Sequence, residues 1–192
     1  MAEHVRGVDH VGVTVPDIDA ASRFLVAAFG AEILYDLLPA EKTDGDGSSS
    51  SEVARLGTRP HVRWRRSQLL RLGDGPSIEL FEYEDAEQTG PPTASDLGVQ
   101  HFALYVDDID AVRDAILAAG GTPLEGPTLL PGLESGDGNK WLYTLAPWGG
   151  IIELVTYPSA QPYEETTHLR RWRPPTSQIE QLKTRRLEGE RP

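Results

Sequence analysis

The chain of 192 residues contains no cysteine. That absence excludes disulfides, thiolate metal sites and cysteine nucleophiles, and makes the cytoplasm, a reducing compartment, the expected location. Long apolar runs are missing too. None approaches the roughly 18 residues of a membrane span, and the opening MAEHVRGVDH carries no apolar signal core. No membrane partner is therefore expected. Positive charge is scarce, with 18 Lys and Arg against 30 Asp and Glu and a net charge of −12, which argues against a nucleic-acid partner. The one basic concentration gathers Arg170, Arg171, Arg173, Lys183, Arg185 and Arg186, but Glu180, Glu188 and Glu190 are interleaved with it. It reads as a solvated surface. A glycine-rich phosphate loop, a nucleophile elbow and a serine-triad signature are also lacking.

What the chain does have is a repeat. GVDHVGVTVPDIDA at residues 7–20 returns as GVQHFALYVDDIDA at 98–111. Gly7, Val8, His10, Val15, Asp17, Ile18, Asp19 and Ala20 recur at an offset of 91 (101 − 10), eight matches in fourteen without a gap. A second echo, Ile78-Glu79-Leu80 against Ile152-Glu153-Leu154, stands at an offset of 74 (153 − 79). The 17 residues of difference (91 − 74) are extra length in the first half. Much of that excess falls naturally at 42–51, KTDGDGSSSS, whose composition cannot bury enough to fix a structure. Such an internal repeat dictates the architecture.

Each half reads as strand, helix, then three strands. Valine-rich 8–15 predicts a strand ended by Pro16, and Asp17 an N-cap. Ile18, Ala21, Leu25 and Ala28 follow at helical spacing until Gly30. Strands are expected at 32–38, 62–72 and 78–83, the last two joined by Gly73-Asp74-Gly75. The second half repeats this order with strands at 99–106, 122–125, 140–145 and 151–157. Its helix is capped by Asp108 and faces inward through Ile109, Val112, Ile116 and Ala119, and a Gly/Pro-rich loop occupies 126–138. The domain plan is a first βαβββ module at 5–84, a linker at 85–96 and a second module at 97–157. An extension at 158–192 follows, read as a lid or a dimer contact, with a capping box from Ser177 to Glu180. The fold class is α+β: tandem βαβββ modules whose first and last strands can converge on one shared cleft.

The chemistry follows from what each half repeats: one histidine early in its first strand and one glutamate in the middle of its last. A lone histidine among valines, or a lone glutamate in a strand, is ordinarily structural. Two matched pairs are different, because each glutamate stands between isoleucine and leucine in a strand made for burial. An ionised carboxylate there is costly unless it is paired or binds a cation. Two imidazoles and two carboxylates suit one divalent metal ion, so His10, Glu79, His101 and Glu153 are the expected ligands, with Zn²⁺, Ni²⁺, Co²⁺, Mn²⁺ and Fe²⁺ all admissible.

These paired segments resemble the vicinal oxygen chelate superfamily, which includes glyoxalase I, methylmalonyl-CoA epimerase, extradiol dioxygenases and the fosfomycin and bleomycin resistance proteins. The resemblance covers about residues 5–157. It implies two tandem βαβββ modules forming a curved mixed sheet around one metal cleft, ligands on the first and last strand of each, and a homodimer. A fourth ligand, Glu79, favours the glyoxalase and epimerase branch. The implied activity is a metal-dependent isomerase, epimerase or lyase acting through an enediolate on a small carbonyl compound with a neighbouring oxygen. Keto-cyclitols, thiol adducts of methylglyoxal and acyl-CoA esters are the candidate substrates. By the same resemblance Glu153 and Glu79 are the candidate bases, with Glu153 preferred. The alternatives are an Fe(II) ring-cleaving dioxygenase and a non-catalytic drug-sequestering protein of the same fold. His61, Arg63 and Arg65 alternate along the strand before that of Glu79 and could line a substrate pocket, as could Trp141.

Overall fold

The computed structural model describes residues 4–37, 55–85 and 87–174. The low-complexity stretch 42–51 and the capping box at 177–180 lie outside the described residues. The first module runs β1 (His10–Thr14), α1 (Ile18–Phe29), β2 (Glu32–Leu37), β3 (Arg63–Arg71) and β4 (Ser77–Glu84). The second runs β5 (His101–Tyr105), α2 (Ile109–Ala118), β6 (Thr122–Pro123), β7 (Thr128–Leu129), β8 (Lys140–Leu145) and β9 (Ile151–Thr156). The fold is α+β, built from two mixed sheets ordered β1-β4-β3-β2 and β5-β9-β8-β6, with β7 added beside β8.

In each module the first strand lies parallel to the last, and the remaining pairs are antiparallel. Both first strands begin at their histidine, two residues later than the valine pattern predicts. The reason is the partner. β4 and β9 start only at Ser77 and Ile151, which stand opposite His10 and His101, so Val8 and Val99 have no strand to pair with and are exposed. The loop expected at 126–138 also contains the short β7, because Thr128 and Leu129 take up pairing with Trp141 and Lys140.

The helices start where the capping residues require. Asp17 accepts from the backbone N–H of Ala20 at 2.8 Å, and Asp108 accepts from those of Asp110 and Ala111 at 3.1 and 2.9 Å. Gly30 ends α1 in the left-handed region at φ 66°, a conformation that costs glycine nothing. Ile18, Ala21, Leu25 and Ala28 are all buried, as the helical spacing predicts, and so are Ile109 and Ile116 of α2.

The two helices pack on each other, and one hydrophobic core crosses both modules. Phe24 of α1 meets Trp148 of the second module edge to face at 5.6 Å. Gly121 permits this approach: a Cβ there would lie 2.6 Å from Ile116 and 2.9 Å from Phe24. The helices thus cover one face of each sheet. The histidines and glutamates occupy the other.

Candidate functional site

Register places each His–Glu pair. On β1 and β4, His10 stands opposite Ser77 and Gly12 opposite Glu79. On β5 and β9, His101 stands opposite Ile151 and Ala103 opposite Glu153. Alternation puts each histidine and its glutamate on one face, one diagonal step apart. Gly12 and Ala103, directly across from the glutamates, are too small to block the carboxylates from leaning toward the rings. The outcome is the same twice: His10 Nε2 lies 3.2 Å from Glu79 Oε2, and His101 Nε2 lies 3.2 Å from Glu153 Oε2.

Those pairs suit a cation. Nitrogen and oxygen ligands at about 2.0–2.2 Å from one ion, at neighbouring coordination positions, stand roughly 3 Å apart. The pairs are nevertheless separate: among the described residues no three His, Asp or Glu side chains gather as a metal site would require. One chain supplies two separate His–Glu pairs.

Their surroundings differ. His10 is 42% exposed and its Nδ1 is 2.8 Å from Asp9 Oδ2. That hydrogen bond is the main reason its pKa is raised; desolvation opposes it, and the Glu79 and Asp9 charges add to it. An acidic partner on Nδ1 also fixes the ring with Nε2 free to bind metal. His101 is 25% exposed, and its ring is 5.1 Å from that of Tyr143. Its Nδ1 is buried with no hydrogen-bond partner among the described residues. Burial pushes the Glu153 carboxyl above its ordinary range. His101 opposes that rise, the Glu134 charge reinforces it and Arg171 draws it down. Tyr143, the cross-strand neighbour of Glu153, has its hydroxyl pKa raised by burial and then by the Glu153 charge. The corresponding neighbour of Glu79 is Leu69.

The other expected substrate residues fall in different places. Trp141 shares the face of Glu153, with its ring 5.0 Å from Tyr143. Arg63 stands across from Glu84, on the opposite face of the sheet from Glu79. Arg65 pairs with Glu84 at 2.9 Å, and the register shift between Trp64 and Arg66 interrupts the alternation expected there. His61 precedes the strand in a turn, at φ 70°. Sequence reading missed Asp9, Tyr143, Glu134 and Arg171. Only Asp9 left a signal: the repeat breaks beside the histidines, with Asp9 in one copy and Gln100 in the other.

Two paired sheets, each with a parallel first and last strand and a His–Glu pair on the open face, define a class. The chain belongs to the Glyoxalase/Bleomycin resistance protein/Dioxygenase superfamily, whose family model matches residues 9–131. It is 33% identical over 177 residues to a 2-epi-5-epi-valiolone epimerase from Actinomyces sp., covering 87% of this chain and 88% of that protein. Among solved structures, it resembles a glyoxalase family protein from Enterococcus faecalis with a TM-score of 0.54 at 20% identity, covering 78% of this chain and 97% of that one. A glyoxylase/bleomycin resistance protein/dioxygenase domain from Frankia sp. gives 0.56 at 18% identity, over 80% and 98%. A glyoxalase I mutant from Zea mays gives 0.51 at 20% identity over 77% of this chain, and the match spans only 43% of that longer chain. Among the described residues, no helix is long and apolar enough to cross a membrane.

Proposed function

We propose that this protein is a metal-dependent epimerase of a small polyhydroxylated ketone, a keto-cyclitol such as the valiolone in the name of its Actinomyces relative. The observation that carries the reading is the twice-built His–Glu pair, at 3.2 Å in each copy. His10, Glu79, His101 and Glu153 are the groups that would hold a divalent cation. Bound there, the ion would polarise the substrate carbonyl and its neighbouring oxygen as a Lewis acid.

The chain's own residues move the proton. Glu153, whose carboxyl is pushed toward a higher pKa by burial, is the base in this reading. Its carboxylate takes the proton from the carbon beside the carbonyl, and the C–H electron pair shifts onto the carbonyl oxygen. A proton returned to the opposite face inverts that carbon, and Glu79 is the group placed to return it. Tyr143 and Trp141 keep water from the Glu153 side.

One chain holds two half-sites, so the complete site forms when the first-module pair of one protomer meets the second-module pair of its partner in a homodimer. That arrangement is closed and two-fold, and yields two sites per dimer.

The test is solvent-deuterium incorporation over a panel of α-hydroxyketones, with the metal content of the protein measured alongside. Native protein is expected to exchange one carbon-bound hydrogen of a keto-cyclitol. Glu153→Gln should abolish that exchange while retaining part of the metal. A protein that binds no metal and labels none of these ketones is not an epimerase of this kind.

A further inference from the structure

Burial alternates along β8. Leu142 and Thr144 are fully buried on the helix side, whereas Trp141, Tyr143 and Leu145 are half-buried and belong to the opposite face. Tyr143 stands directly across from Glu153 in the antiparallel β8–β9 ladder. Such neighbours share a face, with Cβ atoms about 4.5–5.5 Å apart. The Tyr143 ring centroid lies 5.1 Å from that of His101, at an interplanar angle of 50°, and 5.0 Å from that of Trp141. His101 Nε2 is in turn 3.2 Å from Glu153 Oε2, so phenol, imidazole and carboxylate form one cluster. Among the described residues the Tyr143 hydroxyl makes no hydrogen bond, and it is not one of the buried atoms that lack a partner. It therefore opens onto the face that carries Glu153. Two other tyrosines of this module use their hydroxyls in the fold: Tyr157 donates to the carbonyl of Trp172, and Tyr163 accepts from the Arg171 backbone N–H at 3.0 Å.

We propose that Tyr143 is a further catalytic residue, whose hydroxyl donates a hydrogen bond to the substrate oxygen that gains charge as Glu153 removes the neighbouring proton. This rests on the ketone-epimerase reading above and deepens it. A tyrosine side chain is longer than that of glutamate. From opposite positions on one face, the hydroxyl stands farther from the sheet than the carboxylate, level with a substrate lying against Glu153. In the step, the C–H bond breaks toward the carboxylate and its electron pair moves onto the carbonyl oxygen. Tyr143 keeps its proton and points it at that oxygen. A hydrogen bond to a charged oxygen is stronger than one to a neutral carbonyl, so the contact favours the transition state over the bound ketone. The first module shows that the fold does not require this hydroxyl. Leu69 holds the equivalent place opposite Glu79, and the same strand pairing forms around it. The donor is present only beside the glutamate read as the base.

Tyr143→Phe removes one oxygen and keeps the ring. In the full chain loaded with metal, it is expected to slow deuterium exchange into a keto-cyclitol roughly 10- to 100-fold, the value of a hydrogen bond to a charged group, with KM nearly unchanged. A second readout needs no turnover. Calorimetric titration compares oxalate, a planar dianion with adjacent charged oxygens, with hydroxyacetone, a neutral α-hydroxyketone. Tyr143→Phe should weaken oxalate roughly 10- to 100-fold and hydroxyacetone less than about tenfold. Metal retention, measured by competition with a chelator, should stay native. Tyr143→Leu copies the first module and should show the same loss of oxalate affinity, so a Phe variant that fails to fold does not end the test. If Tyr143→Phe exchanges and binds oxalate as native protein does, the ring only excludes water and the proposal is overturned. Loss of metal in that variant would make the phenol a ligand and overturn it equally. Oxalate binding that depends on Tyr143, in a protein that labels no ketone, would leave the donor standing and remove the epimerase.

Discussion

The two His–Glu pairs stand at the same 3.2 Å with their glutamates about equally exposed, yet one histidine side chain is 42% exposed and the other 25%. His10 is open to solvent and held by Asp9, whereas His101 is packed on Tyr143 with its Nδ1 unpartnered. Glu79 faces Leu69 across the ladder; Glu153 faces Tyr143. The lesson is a division of labour. A histidine oriented by a carboxylate is a good anchor for a cation, and a carboxylate with a raised pKa is a good base. Duplication supplied two equal modules, and the residues around the pair made them unequal.

The strongest way to break that comparison is to exchange the glutamates' roles. Glu153→Gln is expected to cost 10²- to 10⁴-fold in deuterium exchange, the usual value of a general base. Glu79→Gln should fall mainly on metal content and on proton return. Equal losses of exchange in the two variants would erase the distinction between base and anchor. Next in size is complementation. A protomer carrying His10→Ala and Glu79→Gln, mixed and reassembled with one carrying His101→Ala and Glu153→Gln, should regain about a quarter of native activity, because half of the dimers are mixed and each has one intact site of two. No recovery would place the whole site within one chain.

A gentler intervention acts on the mismatch between the repeats. Asp9→Ala removes the partner of His10 Nδ1 and should weaken metal binding about 10- to 100-fold, measured by competition with a chelator. Gln100→Asp, at the equivalent position, should make His101 more like His10 and strengthen metal retention.

The smallest effect is on stability. The Glu153 carboxyl has a folded-state pKa raised above its ordinary value, chiefly by burial. A carboxyl raised in the native state adds stability only while it is protonated, and that contribution is lost as pH rises through the folded pKa. In metal-free protein at neutral pH the ionised Glu153 is therefore a cost, and Glu153→Gln should raise the unfolding temperature. The gain should vanish as the pH falls below the normal carboxylate range.

Much of this was legible in the chain. The repeat announced two modules, and the buried stripe Ile18, Ala21, Leu25, Ala28 follows the helical period directly. The His–Glu pairs were legible because strand register is periodic: the same residues at the same spacing must land on the same face. What was not legible depended on contacts distant in sequence. Arg171 reaches Glu134 across 37 positions, and neither lies in a repeated segment. Tyr143 could be read only as a strand residue until the β8–β9 register placed it beside Glu153. His61, Arg63 and Arg65 look alternating on paper, but the register shift after Trp64 and the late start of β3 break the pattern. A bulge has no reliable sequence mark in a run such as Arg63-Trp64-Arg65-Arg66.

The parallel register of β1 on β4 and of β5 on β9 also sets which insertions such a chain can survive. Because side chains alternate, one added or lost residue within any of these four strands turns a histidine or glutamate from the open face to the helix face. Length in the connections is neutral by comparison, and the first half carries 17 more residues than the second between its histidine and its glutamate (91 − 74) without altering either pair. Lineages of this chain should therefore vary freely in length between α1 and β3, while β1, β4, β5 and β9 tolerate substitution but not a change of count.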